Sequence, residues 1–183
     1  NSKIAQLNVN FKIADVEDLP YGDNQYDIVL SQFGHMFAPR PIVAINEMLR
    51  VLKPGGTIAF STWPPELLTG RLFKLVGKYA PPPKGVSSPA EWGDQSIIKE
   101  RLNGKVKDLV FEESEYRNPA LSPSHMRGFI ESYIGPVMGV ISMLKDDSEK
   151  LKIFRDELDS LLNEYFVDNA VVQTYLMTKA NKL

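Results

Sequence analysis

Cysteine is absent from the 183 residues, which excludes disulfides, thiolate metal sites and a cysteine nucleophile. Histidine is nearly absent. Only His35 and His125 occur, far apart, and with scattered carboxylates they make no metal-ligand spacing. An excess of charge of one sign is also lacking. The 21 basic and 23 acidic side chains leave a net charge of −2, which argues against a broad basic surface for nucleic acid. No apolar run is long enough to cross a bilayer. The most apolar stretch, Ile134–Leu144, is short and carries Gly135, Pro136 and Gly139. There is no Gly-x-Ser-x-Gly elbow, phosphate-binding loop, Gly-x-Gly-x-x-Gly turn, internal repeat or low-complexity tail. No secretory signal stands out, although the first residues look like the end of an element rather than a start. These gaps lead us to expect a protein with no membrane span, no nucleic-acid partner, no metal and a cytoplasmic location.

What is present is ordinary in bulk and ordered in detail. Hydrophobic residues at 43% and charged residues at 24% suit a globular domain with a real core. Three short apolar runs, Phe11–Ala14, Tyr26–Ser31 and Thr57–Ser61, are each followed by polar or turn-forming residues. Between the second and third, Pro39–Pro41 opens a helical pattern. Ile42, Ile45, Leu49 and Leu52 form its apolar stripe, Met48 widens it, and Arg50 and Lys53 suit the helix dipole. Pro54-Gly55-Gly56 ends it.

Further helices are expected from about Pro65 to Tyr79, after a cap at Asp94, after Ser122-Pro123 to about Ile134, and from Asp147 with a stripe of Leu151, Phe154, Leu158, Leu161 and Tyr165. Val106–Tyr116 and Ala170–Thr178 read as strands. The order strand, strand, helix, strand, helices, strand, helices, strand indicates an open α/β sheet. The excursion over residues 118–169, between the last two strands, is large enough for a helical lid.

In an open α/β sheet, ligands bind beyond the carboxyl ends of the strands. That rule singles out Asp15–Glu17, Ser31–His35 and Ser61–Trp63. Asp15 can accept a hydrogen bond from an exocyclic amine. Three acids on one loop are also what a solvated turn looks like, and Glu17 and Asp18 fit that description as well. Ser31 and Gln32 can bond polar groups, and Gly34 permits a close backbone approach. His35 is either a general base, because imidazole titrates near neutrality, or a solvent-facing turn residue. His125 sits in a helix start and reads as structural. Trp63, Trp92, Phe129, Tyr133, Met138 and Met143 are each most simply core. Trp63, Phe129 and Tyr133 are the candidates for a substrate pocket.

Three segments together resemble class I S-adenosylmethionine-dependent methyltransferases of the ubiquinone/menaquinone-biosynthesis-like (type 11) group. They are Asp15-Val16-Glu17-Asp18-Leu19-Pro20-Tyr21, Tyr26-Asp27-Ile28-Val29 and Leu49-Arg50-Val51-Leu52-Lys53-Pro54-Gly55-Gly56. Phe33-Gly34-His35-Met36-Phe37-Ala38-Pro39 and Glu91-Trp92-Gly93 are similar to one bacterial branch of that group. The resemblance implies S-adenosylmethionine as cofactor, a small-molecule acceptor and a Rossmann-like sheet. It places Asp15 at the adenine amine, Val16 against the ring, Ser31 and Gln32 near the methionine part and His35 near the transferred methyl.

The family's first strand, glycine-rich loop and second strand have no counterpart. We therefore expect residues 1–183 to be the carboxyl-terminal part of one methyltransferase domain whose sheet lacks its first two strands. Val9–Ala14 should then be a strand in need of a partner, and the edge at Tyr26–Ser31 invites a homodimer. The reading from a different class is a non-catalytic fragment or assembly module without cofactor affinity.

Overall fold

The computed structural model describes residues 8–183. The expected helix turn over Ser2–Leu7 lies outside them. The chain builds a mixed sheet from β1 (Tyr26–Gln32), β2 (Leu52–Thr62), β3 (Val106–Pro119), β4 (Phe166–Val167) and β5 (Ala170–Lys182), in the order β1-β2-β5-β3 with β4 beside β5. β1 and β2 are parallel, whereas β5 runs antiparallel to β2, β3 and β4. Six helices pack on the sheet: α1 (Pro41–Val51), α2 (Leu68–Tyr79), α3 (Gln95–Leu102), α4 (Pro123–Tyr133), α5 (Gly135–Leu144) and α6 (Ser148–Glu164).

Alternation along the strands sorts the core into two layers. The register puts Val29, Ile58, Phe60, Leu176, Ala180 and Phe111 on one face, where they pack with Ile45, Met48 and Leu49 of α1 and Ile98 and Leu102 of α3. On the opposite face, Val171 joins α2, α4, α5 and α6 through Leu72, Met126, Ile130, Val137, Phe154 and Leu158. β5 antiparallels β2 from Leu176 onward, so its first residues continue past the carboxyl end of β2. The helical layer of α2, α4, α5 and α6 gathers at that end.

Local signals place most helix boundaries. Pro41 opens α1, Asp94 accepts hydrogen bonds from Ser96 N and Ile97 N at the start of α3, and the Ser122 hydroxyl accepts from His125 N at α4. Asp147 caps α6 by accepting from Lys150 N. The α6 stripe is buried at Phe154, Leu158 and Leu161, and Leu162 joins it.

Several expectations need correction. Val9–Ala14 is not a strand. The nearest pairing is a lone bridge between Asp15 and Asp18, and Phe11 and Ile13 are exposed. A strand needs a neighbour's N–H and C=O groups, and none lies beside this segment among the described residues. β1 is covered on one face only: Val29 packs inward, while Ile28 and Leu30 are 59% and 73% exposed. The α1 stripe is buried at Ile45, Met48 and Leu49, whereas Ile42 is exposed and Ala44 and Val51 widen the buried side. The helix ends at Val51. Leu52 and Lys53 already belong to β2, and Gly55 takes a left-handed conformation (φ 77°) within that strand. The apolar stretch Ile134–Leu144, to which no helix is assigned from the sequence, supplies α5, with Pro136 in its first turn as an ordinary helix start. Trp92 is fully buried as expected, but Phe129, Tyr133, Met138 and Met143 lie on the exposed side of α4 and α5.

One close approach fixes the segment after β2. A Cβ on Gly93 would lie 2.0 Å from the carbonyl oxygen of Trp63 and 2.5 Å from Pro64 Cα. Gly93→Ala should therefore push the Trp63–Pro64 backbone aside and destabilise the fold by about 1–3 kcal/mol, the usual range for overpacking. Chemical denaturation together with tryptophan emission checks this. Unchanged stability and an unchanged spectrum would show that the contact yields freely.

Candidate functional site

Two cavities meet the carboxyl ends of β1 and β2. The first, about 570 Å³, runs along the open side of β1 and is lined by Val16, Tyr21, Ile28, Leu30, Ser31 and Met48, among others. It brings together Val16 and Ser31 of the expected cofactor residues. Asp15 and Gln32 are exposed and do not line it. Asp15 shapes its own loop: its Oδ1 accepts from Glu17 N at 2.9 Å and its carbonyl accepts from Asp18 N at 3.1 Å.

That loop is held by charge. The Glu17 carboxylate accepts from Arg40 N and Arg40 Nε, both at 2.6 Å, and its side chain is buried. Glu17 is thus a strut between the loop and the start of α1. Arg50 performs the same task at the other end of α1. It donates to the carbonyls of Leu19 and Tyr21 and to the Asp23 and Glu47 carboxylates. Its hydrogen bond, with that of Leu19 N, holds the Glu47 carboxyl below its ordinary range.

His35 is neither solvent-facing nor set out as a free base. It is 2% exposed, between the rings of Phe60 (4.7 Å) and Trp92 (4.6 Å). Its Nδ1 lies 2.9 Å from Ser31 Oγ, which also accepts from the His35 backbone N–H, and its Nε2 has no hydrogen-bond partner. Burial, followed by the nearby Arg101 charge, lowers its pKa from 6.5 to about 4. The imidazole is therefore neutral at pH 7, and the Ser31 hydroxyl holds it in place.

The sequence missed the backbone feature at this turn. Gly34 has an ordinary helical φ of −75°, while Phe33 takes the left-handed φ of 60°, a strained position for a bulky side chain. The twist lays the Phe33 ring flat on Trp63, with centroids 4.1 Å apart and planes 5° from parallel, and edge-on to Tyr175. No sequence signal distinguishes this phenylalanine from its glycine neighbour.

The second cavity, about 330 Å³, opens on the far side of Trp63. Phe37, Leu72, Phe73, Met126, Phe129 and Ile130 give it apolar walls, and Thr69, Tyr116, Asn118 and Gln173 are its polar side chains. Trp63 and Phe129 of the expected pocket residues meet here. Tyr133 does not line it. That residue is 71% exposed and packs on the outer side of Phe129, ring centroids 4.8 Å apart. Strand alternation could have flagged Tyr116, Asn118 and Gln173, because Tyr116 pairs directly with Gln173 and Asn118 lies two residues along on the same face.

Replacing the buried histidine tests its charge state. Below pH 6.5 the unfolded chain takes up a proton that folded His35 refuses until about pH 4. Its contribution is thus fully present above pH 6.5 and is lost as pH falls to about 4, roughly 3 kcal/mol across the window. Denaturation at a series of pH values should show this slope in the parent chain, and a slope smaller by about one proton in His35→Gln. Equal slopes would mean that His35 titrates normally in the folded protein.

Comparison with known proteins follows the same outline. Residues 1–60 match the methyltransferase domain family. The chain is 28% identical over 180 residues to an uncharacterized protein of Mycobacterium tuberculosis, covering 97% of this chain and 66% of that protein. It is 38% identical over 122 residues to the demethylmenaquinone methyltransferase of Clavibacter sepedonicus, covering 60% of this chain and 49% of that enzyme. Among solved structures, the MccD protein superposes with a TM-score of 0.53 at 17% identity, over 100% of this chain and 72% of that one. The YcgJ protein from Bacillus subtilis gives 0.53 at 18%, over 99% and 74%. At such identities the structural likeness is one of fold. The chain thus spans just under two thirds of the mycobacterial relative and about half of the demethylmenaquinone enzyme.

Proposed function

We propose that this chain is part of a class I S-adenosylmethionine-dependent methyltransferase that transfers a methyl group to a small-molecule acceptor, a reading supported by its match to the methyltransferase domain family and by its fold. The observation that carries the reading is the pair of cavities, one along β1 lined by Val16, Ile28 and Ser31, the other past the end of β2 lined by Trp63, Phe129 and Gln173. One suits the cofactor and the other the acceptor, with residues 118–169 as the lid.

On the cofactor side Val16 and Ser31 line the cavity, and Asp15 and Gln32 stand exposed outside its lining, where a bound S-adenosylmethionine would have to reach them. Asp15 uses only Oδ1 in its loop, which leaves Oδ2 for the adenine amine. Val16 presents an apolar wall to the ring, and Gln32 exposes its amide beside Ser31 for the methionine part. When bound, that cofactor supplies an electrophilic methyl on a sulfonium sulfur. The chain's own part is to align the partners and exclude water, which is what displacement at such a carbon requires. Neutral His35 fixes Ser31 and the turn around it, so its role near the methyl is positioning. Trp63 and Phe129 flank the acceptor, and Tyr133 supports Phe129 from outside.

Isothermal titration of S-adenosylmethionine is the direct test. Asp15→Ala should weaken binding by about 1–3 kcal/mol, the cost of removing a charged partner from a buried donor. An unchanged dissociation constant in a folded variant would remove Asp15 from the site, and no binding to the parent chain would favour the non-catalytic reading.

A specific observation also supports self-association. Among the described residues β1 has no neighbour at its outer edge, and Ile28 and Leu30 leave one of its faces exposed beside that edge. We expect the 183-residue chain to form a dimer through this edge at micromolar concentration. Light scattering checks it. Leu30→Lys should return the chain to a monomer, and a monomeric parent chain would refute the expectation.

A further inference from the structure

The acceptor cavity has a chemical bias that its position alone does not convey. Among the described residues, no carboxylate, ammonium, guanidinium or imidazole side chain lines it. Its polar groups are neutral, and they are grouped. Tyr116 and Asn118 project from β3, Gln173 from β5, and Thr69 comes from the first turn of α2. In the register Tyr116 faces Gln173 across the strands and Asn118 faces Val171, so the phenol and the two amides form a compact polar strip on one sheet face. Opposite this strip stand Leu72, Phe73, Met126, Phe129 and Ile130. Phe73 is also held edge-on by Phe37, with ring centroids 6.0 Å apart.

Resting on the reading of this cavity as the acceptor site, we propose that it selects an uncharged acceptor, with an apolar body against α2 and α4 and one hydrogen-bonding edge on Asn118 and Gln173. An ionised acceptor would leave its charge unpaired between aromatic and aliphatic walls, which is far costlier than burying a neutral polar group that finds a partner. Primary amides offer both a donor and an acceptor, so a neutral hydroxyl, carbonyl or amide edge is matched without any change of ionisation. The volume suits a body of one or two rings. The wall also provides no carboxylate or imidazole to take a proton. The acceptor atom must therefore be nucleophilic as it arrives, or release its proton to water.

Three probes of one shape separate charge from size: 2-naphthol, 2-naphthoate and the 2-naphthylmethylammonium ion, titrated at pH 7 and followed by ligand-observed NMR. The parent chain should bind 2-naphthol at least tenfold more tightly than either ion. Asn118→Asp places a carboxylate in the polar strip with almost no change of shape, and should shift the ratio at least fivefold towards the ammonium probe. Gln173→Glu provides the same test if the first variant does not fold. Equal or tighter binding of either ion by the parent chain would overturn the proposal. So would an unchanged ratio in a folded acidic variant, or no saturable binding of any probe. Because no cofactor is present in these titrations, failure of methyl transfer is a separate outcome. It would remove the enzymatic reading and leave the selectivity of the cavity standing.

Discussion

The pairing of β5 between β2 and β3 is the constraint on which the rest of the molecule depends. Ladder bonds join Thr57–Thr62 to Leu176–Asn181 and Ala170–Lys182 to Val106–Pro119. These pairings close the longest loops in the chain, so their entropic cost is met only when the whole layer forms. They also decide where chemistry can occur. β5 runs antiparallel to its neighbour, so its first half extends beyond the end of β2 and presents Val171, Gln173 and Tyr175 at the place where ligands bind in parallel neighbours. Helices α4 to α6 are carried there as the connection between β3 and β5.

Aromatic stacking then divides the space. Phe33 is forced into a left-handed conformation and lies on Trp63, which in turn meets Tyr175 edge-on. Strain of this kind persists only where surrounding contacts over-determine it. Here the Phe33 amide is bonded to the Ser61 carbonyl, and Gly93 leaves no room for the Trp63 backbone to move. The wall of the second cavity is therefore held fast at Trp63, while its outer boundary at Phe129 remains exposed. Neutral His35, packed behind this wall, adds a buried polar anchor for Ser31 without adding charge.

The loop over residues 15–23 has a different kind of support. It has almost no strand pairing, and its position relies on Glu17 with Arg40 and on Arg50 with Glu47, Asp23 and two carbonyls. Charge-assisted hydrogen bonds of this type hold a loop where apolar burial is thin. They also explain why three acids on one loop had two readings. Asp15 shapes the turn and Glu17 anchors it, so both carboxylates have structural work within the loop.

What the sequence determined by itself was local. Apolar alternation located β1, β2 and β5, proline and capping residues opened α1, α3, α4 and α6, and three segments carried the resemblance to a methyltransferase family. The same local rules failed where an element needs something outside its own window. Val9–Ala14 has the composition of a strand but no partner among the described residues, and Ile134–Leu144, with its two glycines and a proline, supplies a helix that no local signal had marked. Only the tertiary structure decided that His35 is neutral, that Phe33 rather than Gly34 takes the strained turn, and that Tyr133 lies outside the cavity it was expected to line. It alone brought Trp63, Asn118, Phe129 and Gln173 around one space. Period-two and 3.6-residue patterns state which way a side chain faces, but the order and register of strands far apart in sequence state what it faces.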